Sequence, residues 1–213
     1  MKFTNILITG LVLFLAAGTV KWPMAWLYVG FILIYIILSR RFTHPELHNL
    51  QSMRTDGTKK WDFVTAPFVS IIGPIAMLLT AGFDKRFEWS HIPYLIQIIA
   101  CLFLLIGASI ALWAKQANKF YSETVRIQYE RYHVVITDGP YRYVRHPGYL
   151  GHMILSISAP LVLGSLPALF PSIFIVLGYL ARTFLEDLTL QRQFKGYYDY
   201  TKKVPNRLFP GIW

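Results

Sequence analysis

The chain has 213 residues, of which 54% are hydrophobic and only 15% are charged. This composition excludes an ordinary soluble protein, and apolar runs of about 20 residues, long enough to cross a bilayer as a helix, recur along it. The formal net charge is +10. Because the basic residues flank apolar runs, lipid headgroups, and not nucleic acid, are the expected partners.

Six apolar segments predict an all-α, polytopic membrane protein with five to six transmembrane helices. The start of the chain resembles a signal peptide, but its apolar run leads through Lys21 and Trp22 into another one, which favours a first membrane helix. Gly164 and Pro167 interrupt the last apolar stretch and predict a helical hairpin there. The predicted spans are 4–20, 24–39, 63–81, 93–113, 149–165 and 168–181.

Lysine and arginine are distributed very unevenly between the two sides of the predicted helices. If the chain alternates sides, eighteen of them lie on one face and only Lys21, Lys85 and Arg86 on the other. The positive-inside rule then predicts a cytoplasmic basic face and C-terminus, in the cell membrane of a prokaryote or the endoplasmic reticulum of a eukaryote. The long polar segments on this face divide the chain into transmembrane helices over 1–113 and a second region over 114–213 that contains the polar motifs.

Metal and nucleotide motifs are weak or missing in the sequence. Cys101 is the only cysteine, which excludes an intramolecular disulfide and a cysteine zinc cluster. His44 and His48 have the spacing of a helical metal pair, but no catalytic glutamate or third ligand accompanies them, so no metal is predicted. The G-x-G-x-x-G, P-loop and G-x-S-x-G motifs are also absent.

The segment DGPYRYVRHPGYLG, residues 138–151, combines turn residues with positive charge at the edge of an apolar run. Gly139 predicts a turn, and Pro147 predicts the start of a helix, since the first helical turn does not use the missing N–H. A helix start beside Arg142 and Arg145 favours an anion. The alternative is that both arginines only anchor lipid headgroups.

Glu186 and Asp187 form an adjacent acidic pair just past the last apolar span. Either they form salt bridges with Arg182 or Arg192, or one of them receives the ammonium group of a ligand. The segment that begins at Arg182 and includes this pair has apolar residues at helical spacing, which predicts an interfacial helix ending before Pro205.

The segments GPYRYVRHPGYLG and LEDLTLQRQFKGYYDYTKKVPNRLFP together resemble the superfamily of isoprenylcysteine carboxyl methyltransferases and phospholipid methyltransferases. The resemblance covers residues 115–213 and includes the polar loop NKFYSETVRIQYERYHVV. It implies an integral membrane enzyme that binds S-adenosylmethionine at the cytosolic face and methylates a lipid or lipidated small-molecule acceptor.

The resemblance also implies roles for individual residues. Arg145 and Glu186 are the expected catalytic residues, and the second acid of the pair is Asp187 where the family usually has glutamate. Expected cofactor-binding residues are His133, Tyr141, Arg145, His146, Tyr149, Glu186 and Asp187. Expected substrate residues are Arg126, Lys203 and Arg207, of which Lys203 stands at the basic position that precedes V-P.

Several alternatives remain open at the level of sequence. The acceptor is an isoprenylcysteine-like carboxylate, a phospholipid amine or a thiol; an amine must lose a proton, for which His133, His146 and Glu186 are candidate bases. Sterol reductases share a similar R-H-P arrangement, which makes an NADPH-dependent membrane reductase the second hypothesis. A non-catalytic lipid-binding protein is the third.

Overall fold

The structure, a computed structural model, describes residues 4–42, 57–122 and 124–213. Within these ranges the chain forms helices and loops without a β-strand, which confirms the predicted all-α class. The pair His44 and His48 lies outside the described residues. The helices are α1 Thr4–Ala17, α2 Pro23–Arg41, α3 Asp62–Phe87, α4 Tyr94–Ala117, α5 Pro147–Val162, α6 Leu169–Gln193 and α7 Tyr197–Lys203.

Four of these helices, α2, α3, α4 and α6, are long and apolar enough to cross a membrane. Large apolar side chains on α4, among them Ile98, Leu102 and Leu105, point away from the protein core. A lipid environment accommodates such a surface, whereas water would not. The structure therefore confirms a polytopic membrane protein. Helices α1 and α5 also occupy predicted spans, but with 14 and 16 residues they are shorter than a typical span.

Small residues allow the helices to pack closely. A methyl group added to Gly151 on α5 would lie 2.6 Å from the carbonyl oxygen of Gly107 on α4. On the other side of the bundle, a methyl on Gly82 of α3 would lie 2.5 Å from the Cβ of Ala16 on α1. The hydrophobic effect does not drive helix association in lipid, so close van der Waals packing at these small residues holds the helices together. They fix α5, which carries the polar motif, against α4.

The hairpin predicted at the end of the apolar region is present between α5 and α6. Gly164 adopts a positive φ of 78° in the connecting loop. The Ser165 hydroxyl accepts a hydrogen bond from the N–H of Ala168 at 3.3 Å. A glycine is favoured at such a turn because a side chain would strain the left-handed backbone.

The prediction of a separate interfacial helix after residue 181 was wrong in its first half. Helix α6 continues without interruption to Gln193, and only then does the chain turn at Gly196, with φ 84°, into the short helix α7. Arg182 and Asp187 do not end the helix, because both are buried against partners inside the protein. Helix α7 does end before Pro205, as predicted.

Candidate functional site

The segment 138–151 folds as its turn residues predict. Gly139 has a φ of 60° and opens a single 3-10 turn, Gly139–Arg142. His146 then occupies the N-cap position, and Pro147 is the first residue of α5. The N–H groups of Arg145 and His146 donate to the carbonyls of Asn206 and Arg207 at 3.0 and 2.9 Å. The C-terminal tail therefore pairs with this helix start.

The Arg145 guanidinium lies buried under the helix start and holds the Asp187 carboxylate in a two-pronged ion pair. Its Nε donates to Oδ1 at 2.8 Å, and its Nη2 donates to Oδ2 at 3.0 Å. Its Nη1 donates to the carbonyls of Val204 and Pro205 at 2.8 and 2.7 Å. This planar, bidentate geometry is one that arginine provides and lysine does not. Arg145 thus joins α5, α6 and the tail.

Four further side chains surround Asp187, whose side chain is fully buried. The first is His146, whose Nε2 lies 3.4 Å from Oδ1. Arg207 Nε donates to Oδ2 at 2.9 Å, Gln191 Nε2 to Oδ2 at 2.8 Å, and the Tyr197 hydroxyl to Oδ1 at 2.9 Å. Burial, reinforced by the Asp187 carboxylate, raises the pKa of Tyr197 well above its usual value, so its hydroxyl remains a donor. A buried carboxylate needs such partners to offset its lost hydration.

Glu186, the neighbouring acid, points elsewhere. Its Oε2 accepts a hydrogen bond from the Tyr149 hydroxyl at 2.5 Å, and its side chain is only half-buried. The Tyr149 ring lies parallel to the His146 ring, with centroids 5.8 Å apart and an interplanar angle of 5°. The acidic pair therefore divides into a buried structural anchor and a carboxylate that faces an open cleft.

Arg182 does not pair with either member of the acidic pair. Its Nη2 lies 3.0 Å from Oδ1 of Asp62, at the beginning of α3, and its guanidinium lies 5.4 Å from the centroid of the Tyr149 ring. The local salt bridge between Arg182 and the acidic pair, which the i,i+4 spacing favoured, is thus replaced by a contact between distant parts of the chain.

The cleft that Glu186 faces lies between the start of α5, the end of α6 and the loop that follows α4. The space it encloses, the open mouth included, is about 860 Å³. Aromatic and apolar side chains share its wall with a few polar groups. Of the predicted site residues, those that line it are Arg126, His133, Tyr141, Arg145, His146, Tyr149 and Glu186.

Three predicted site residues lie outside the cleft lining. Asp187 is buried beneath Arg145, and Arg207 contacts both Asp187 and the Trp213 ring, whose centroid is 5.1 Å away. Lys203 is exposed at the end of α7. Their predicted contacts with cofactor or substrate stay predictions, and the structure adds a structural role for Asp187 and Arg207.

His133 and Tyr141 are placed by aromatic and hydrogen-bonding neighbours. The His133 ring lies between the rings of Phe120 and Phe194, at centroid distances of 4.3 and 4.5 Å. The Tyr200 hydroxyl donates to the Tyr141 carbonyl at 2.7 Å. Burial raises the pKa of Tyr141 above its usual value, so its hydroxyl stays protonated.

Several cleft residues were missed by the sequence reasoning. Asn118, Phe120 and Tyr121 all belong to the polar loop, and the Asn118 side-chain amide donates to the Tyr141 hydroxyl at 3.3 Å. Tyr121 packs on Gly148, where an added methyl would lie 3.1 Å from its hydroxyl oxygen. The only available signal was the mixture of aromatic and polar residues in this loop, which does not say which of them face a cavity.

The chain is similar to known isoprenylcysteine methyltransferases. The model of the isoprenylcysteine carboxyl methyltransferase (ICMT) family matches residues 93–192. The protein-S-isoprenylcysteine O-methyltransferase of Schizosaccharomyces pombe is 28% identical over 193 residues, covering 83% of this chain and 78% of that protein. The enzyme of the same name from Dictyostelium discoideum is 29% identical over 149 residues, covering 63% of this chain and 60% of that protein.

A probable protein-S-isoprenylcysteine O-methyltransferase of Oryza sativa subsp. indica is 27% identical over 118 residues. The match covers 54% of this chain and 62% of the rice protein. The chain therefore spans less than two thirds of the Dictyostelium and rice relatives, and a larger share of the Schizosaccharomyces one. The family match contains the helix start of α5 and the acidic pair, and the helix start and Glu186 together form one wall of the cleft.

Proposed function

We propose that the chain is a membrane methyltransferase of the isoprenylcysteine carboxyl methyltransferase superfamily and that S-adenosylmethionine is its methyl donor. The observation that carries the proposal is the hydrogen-bonded pair of Tyr149 and Glu186 at the cleft wall. A carboxylate held in this way beside an open cavity suits a cationic ligand group.

The cleft fits the chemistry of this donor. S-adenosylmethionine presents an ammonium, a carboxylate, a sulfonium and an adenine ring, which require an acidic group, polar donors and aromatic surfaces. Glu186 is available for the ammonium, and the cleft has aromatic side chains in its wall for the adenine or the sulfonium. When bound, S-adenosylmethionine supplies a methyl group that is transferred by in-line displacement.

The protein's own residues bind and orient the reactants in this proposal. Glu186 receives the ammonium group, and Tyr149 fixes the Glu186 carboxylate. His146, parallel to the Tyr149 ring, fills the space between that pair and the buried ion pair. Arg145 lines the cleft, but four of its N–H groups donate to Asp187 and the C-terminal tail. We therefore propose that its main role is to position the start of α5.

We propose a lipidated carboxylate as the methyl acceptor. The relatives carry the name protein-S-isoprenylcysteine O-methyltransferase, and a carboxylate acceptor needs no general base at the transfer step. Arg126 is the basic residue of the cleft wall contributed by the polar loop, and its guanidinium matches a carboxylate. We also propose that the basic, cleft-bearing face of the protein lies on the cytoplasmic side, which the distribution of lysine and arginine supports.

Calorimetric titration of the purified, detergent-solubilised protein with S-adenosylmethionine tests the donor. We expect saturable binding that Glu186→Gln weakens by at least about tenfold, because the variant loses a charge-assisted contact. The matched control is Glu88→Gln, the same change in an exposed glutamate that directly follows the C-terminal end of α3, away from the cleft. This variant should bind S-adenosylmethionine normally. Absence of binding to the wild type, or unchanged binding by Glu186→Gln, would contradict the proposal.

Transfer of labelled methyl groups to defined acceptors tests the acceptor. We expect transfer to a farnesylated cysteine derivative with a free carboxylate, and none to its methyl ester. Arg126→Ala should raise the KM for that acceptor and leave the affinity for S-adenosylmethionine unchanged. Transfer to phosphatidylethanolamine in place of the carboxylate compound would contradict the assigned acceptor but leave the assigned donor in place.

A further inference from the structure

Asp62 is a buried carboxylate in the part of the chain that precedes the family match. It is the first residue of α3, its exposed fraction is 1%, and no motif marks it in the sequence. Its Oδ1 accepts a hydrogen bond from the Thr65 hydroxyl at 3.2 Å. A carboxylate so deeply buried needs further polar partners, and these come from two distant segments.

The first partner is the loop that walls the cleft. The N–H of Val125 donates to Oδ2 of Asp62 at 2.7 Å, and the Val125 carbonyl accepts from the N–H of Lys59 at 3.2 Å. Both backbone groups of Val125 are therefore held by the segment that leads into α3. Val125 and its neighbours Thr124 and Arg126 all line the cleft.

The second partner is Arg182 on α6, one helical turn before Glu186. Arg182 lies 3.0 Å from Oδ1 of Asp62 and is itself nearly fully buried. Its guanidinium lies over the ring of Tyr149, whose hydroxyl donates to Glu186. Oδ2 of Asp62 thus connects it to Val125 in the loop wall of the cleft. Oδ1 connects it, through Arg182 and Tyr149, to Glu186 in the opposite wall.

We propose that Asp62 is a positioning residue of the methyltransferase, which holds the Thr124–Arg126 wall of the cleft at a set distance from the Tyr149–Glu186 wall. It contacts neither ligand, and its effect on binding passes through Val125 and Arg182. The inference rests on the proposed binding of S-adenosylmethionine in this cleft. In this proposal, a residue from the N-terminal part of the chain helps to set the shape of the cleft.

Two measurements on the full chain in detergent test this role, with Asp62→Asn as the variant. In the absence of any ligand, amide hydrogen exchange of peptides that contain Val125 should become at least about tenfold faster, because the amide loses its carboxylate acceptor. The affinity for S-adenosylmethionine should fall by about tenfold, since the two walls no longer keep their spacing.

Asp84→Asn is the matched control, since Asp84 is also a buried aspartate of α3 but lies at the opposite end. It should leave both the Val125 exchange and the affinity unchanged, whatever its effect on the unfolding temperature. If Asp62→Asn does not yield folded protein, Asp62→Glu, which retains a negative charge opposite Arg182, takes its place with the same expected directions.

Unchanged exchange at Val125, or faster exchange with unchanged affinity, would overturn the positioning role. Equal effects of Asp62→Asn and Asp84→Asn would also overturn it, because they would indicate general destabilisation. If the wild type does not bind S-adenosylmethionine, the proposed function fails. The exchange measurement then still decides whether Asp62 holds the loop, since it needs no ligand.

Discussion

Each end of the helical bundle contains a buried aspartate of α3, and the two aspartates have different kinds of partners. At the end that carries the cleft, Asp62 binds residues 63 and 120 positions away, Val125 and Arg182. At the far end, Asp84 accepts hydrogen bonds only six residues away, from the N–H and hydroxyl of Ser90 at 2.8 and 2.6 Å. The Asp84 carboxylate therefore closes a loop locally, and Ser90 accepts one further hydrogen bond from the distant N–H of Leu166 at 3.1 Å. The Asp62 carboxylate itself ties three distant segments together.

This difference indicates where the protein places its polar interactions. The loops of the far end are short, and their buried polar groups serve turns, as the Gln97 side chain does in donating to the Ile92 carbonyl at 2.8 Å. At the cleft end, buried charges cross-link helices and loops around an open cavity. Such cross-links are needed where a rigid cavity has to be maintained without a packed core.

The largest effect is expected from removing the anchor of the cleft end. Asp187→Ala should destabilise the protein by about 3–5 kcal/mol, because it leaves Arg145 buried without its counter-ion. Thermal unfolding in detergent, with and without S-adenosylmethionine, measures it. A loss no greater than that of the conservative change Asp84→Asn at the far end would show that the two ends do not differ in this way.

Close helix packing gives a second, smaller contrast. Gly151→Ala near the cleft and Gly82→Ala near the far end should each cost about 1–3 kcal/mol, because the added methyl has no space in either position. Only Gly151→Ala should also weaken S-adenosylmethionine binding, since it displaces the helix that carries His146 and Tyr149. Parallel unfolding and calorimetric measurements separate the two effects, and equal binding by both variants would contradict the prediction.

Asp84→Asn itself should cost about 1–3 kcal/mol, because one of the two hydrogen bonds from Ser90 is weakened. Methyl transfer and S-adenosylmethionine affinity at a temperature where the variant is folded should equal those of the wild type. Reduced affinity in the folded variant would indicate that the far end is coupled to the cleft.

The smallest effect is expected from Lys203→Ala. Lys203 is exposed and lies outside the cleft lining, so its loss should change stability by less than about 0.5 kcal/mol. Donor affinity should also stay unchanged. A raised acceptor KM in the methyl-transfer assay would instead support the substrate role that the family resemblance implies for this residue.

Much of the cleft end was predictable from local signals. Pro147 and Gly139 mark the helix start and the turn, and the combination of R-H-P-x-Y with the acidic pair resembles the pattern of the methyltransferase family. The partners were not predictable in the same way. Arg182 is four residues from Glu186, which favours a local salt bridge, yet it pairs with Asp62 because the folded chain places that buried carboxylate closer to it.

The end of α6 shows the same limit. A hydropathy pattern ends the span at Arg182, since charges are costly in lipid, but a charge that is paired inside the protein does not interrupt a helix. The sequence contains no direct sign that Arg182 has an ion-pair partner in Asp62, or that Asp187 has partners in Arg145 and Arg207. These partners are distant along the chain.

The sequence by itself determined the helical class, the positions of the six apolar segments, the α5 helix start and the resemblance to the methyltransferase family, because these depend on local composition, periodicity and ordered motifs. Only the tertiary structure decided that Asp187 is buried in an ion pair while Glu186 faces the cleft, and that Asp62 holds the loop opposite. The physical reason is that the cost of burying a charge depends on which distant groups surround it, and chain order does not contain that information.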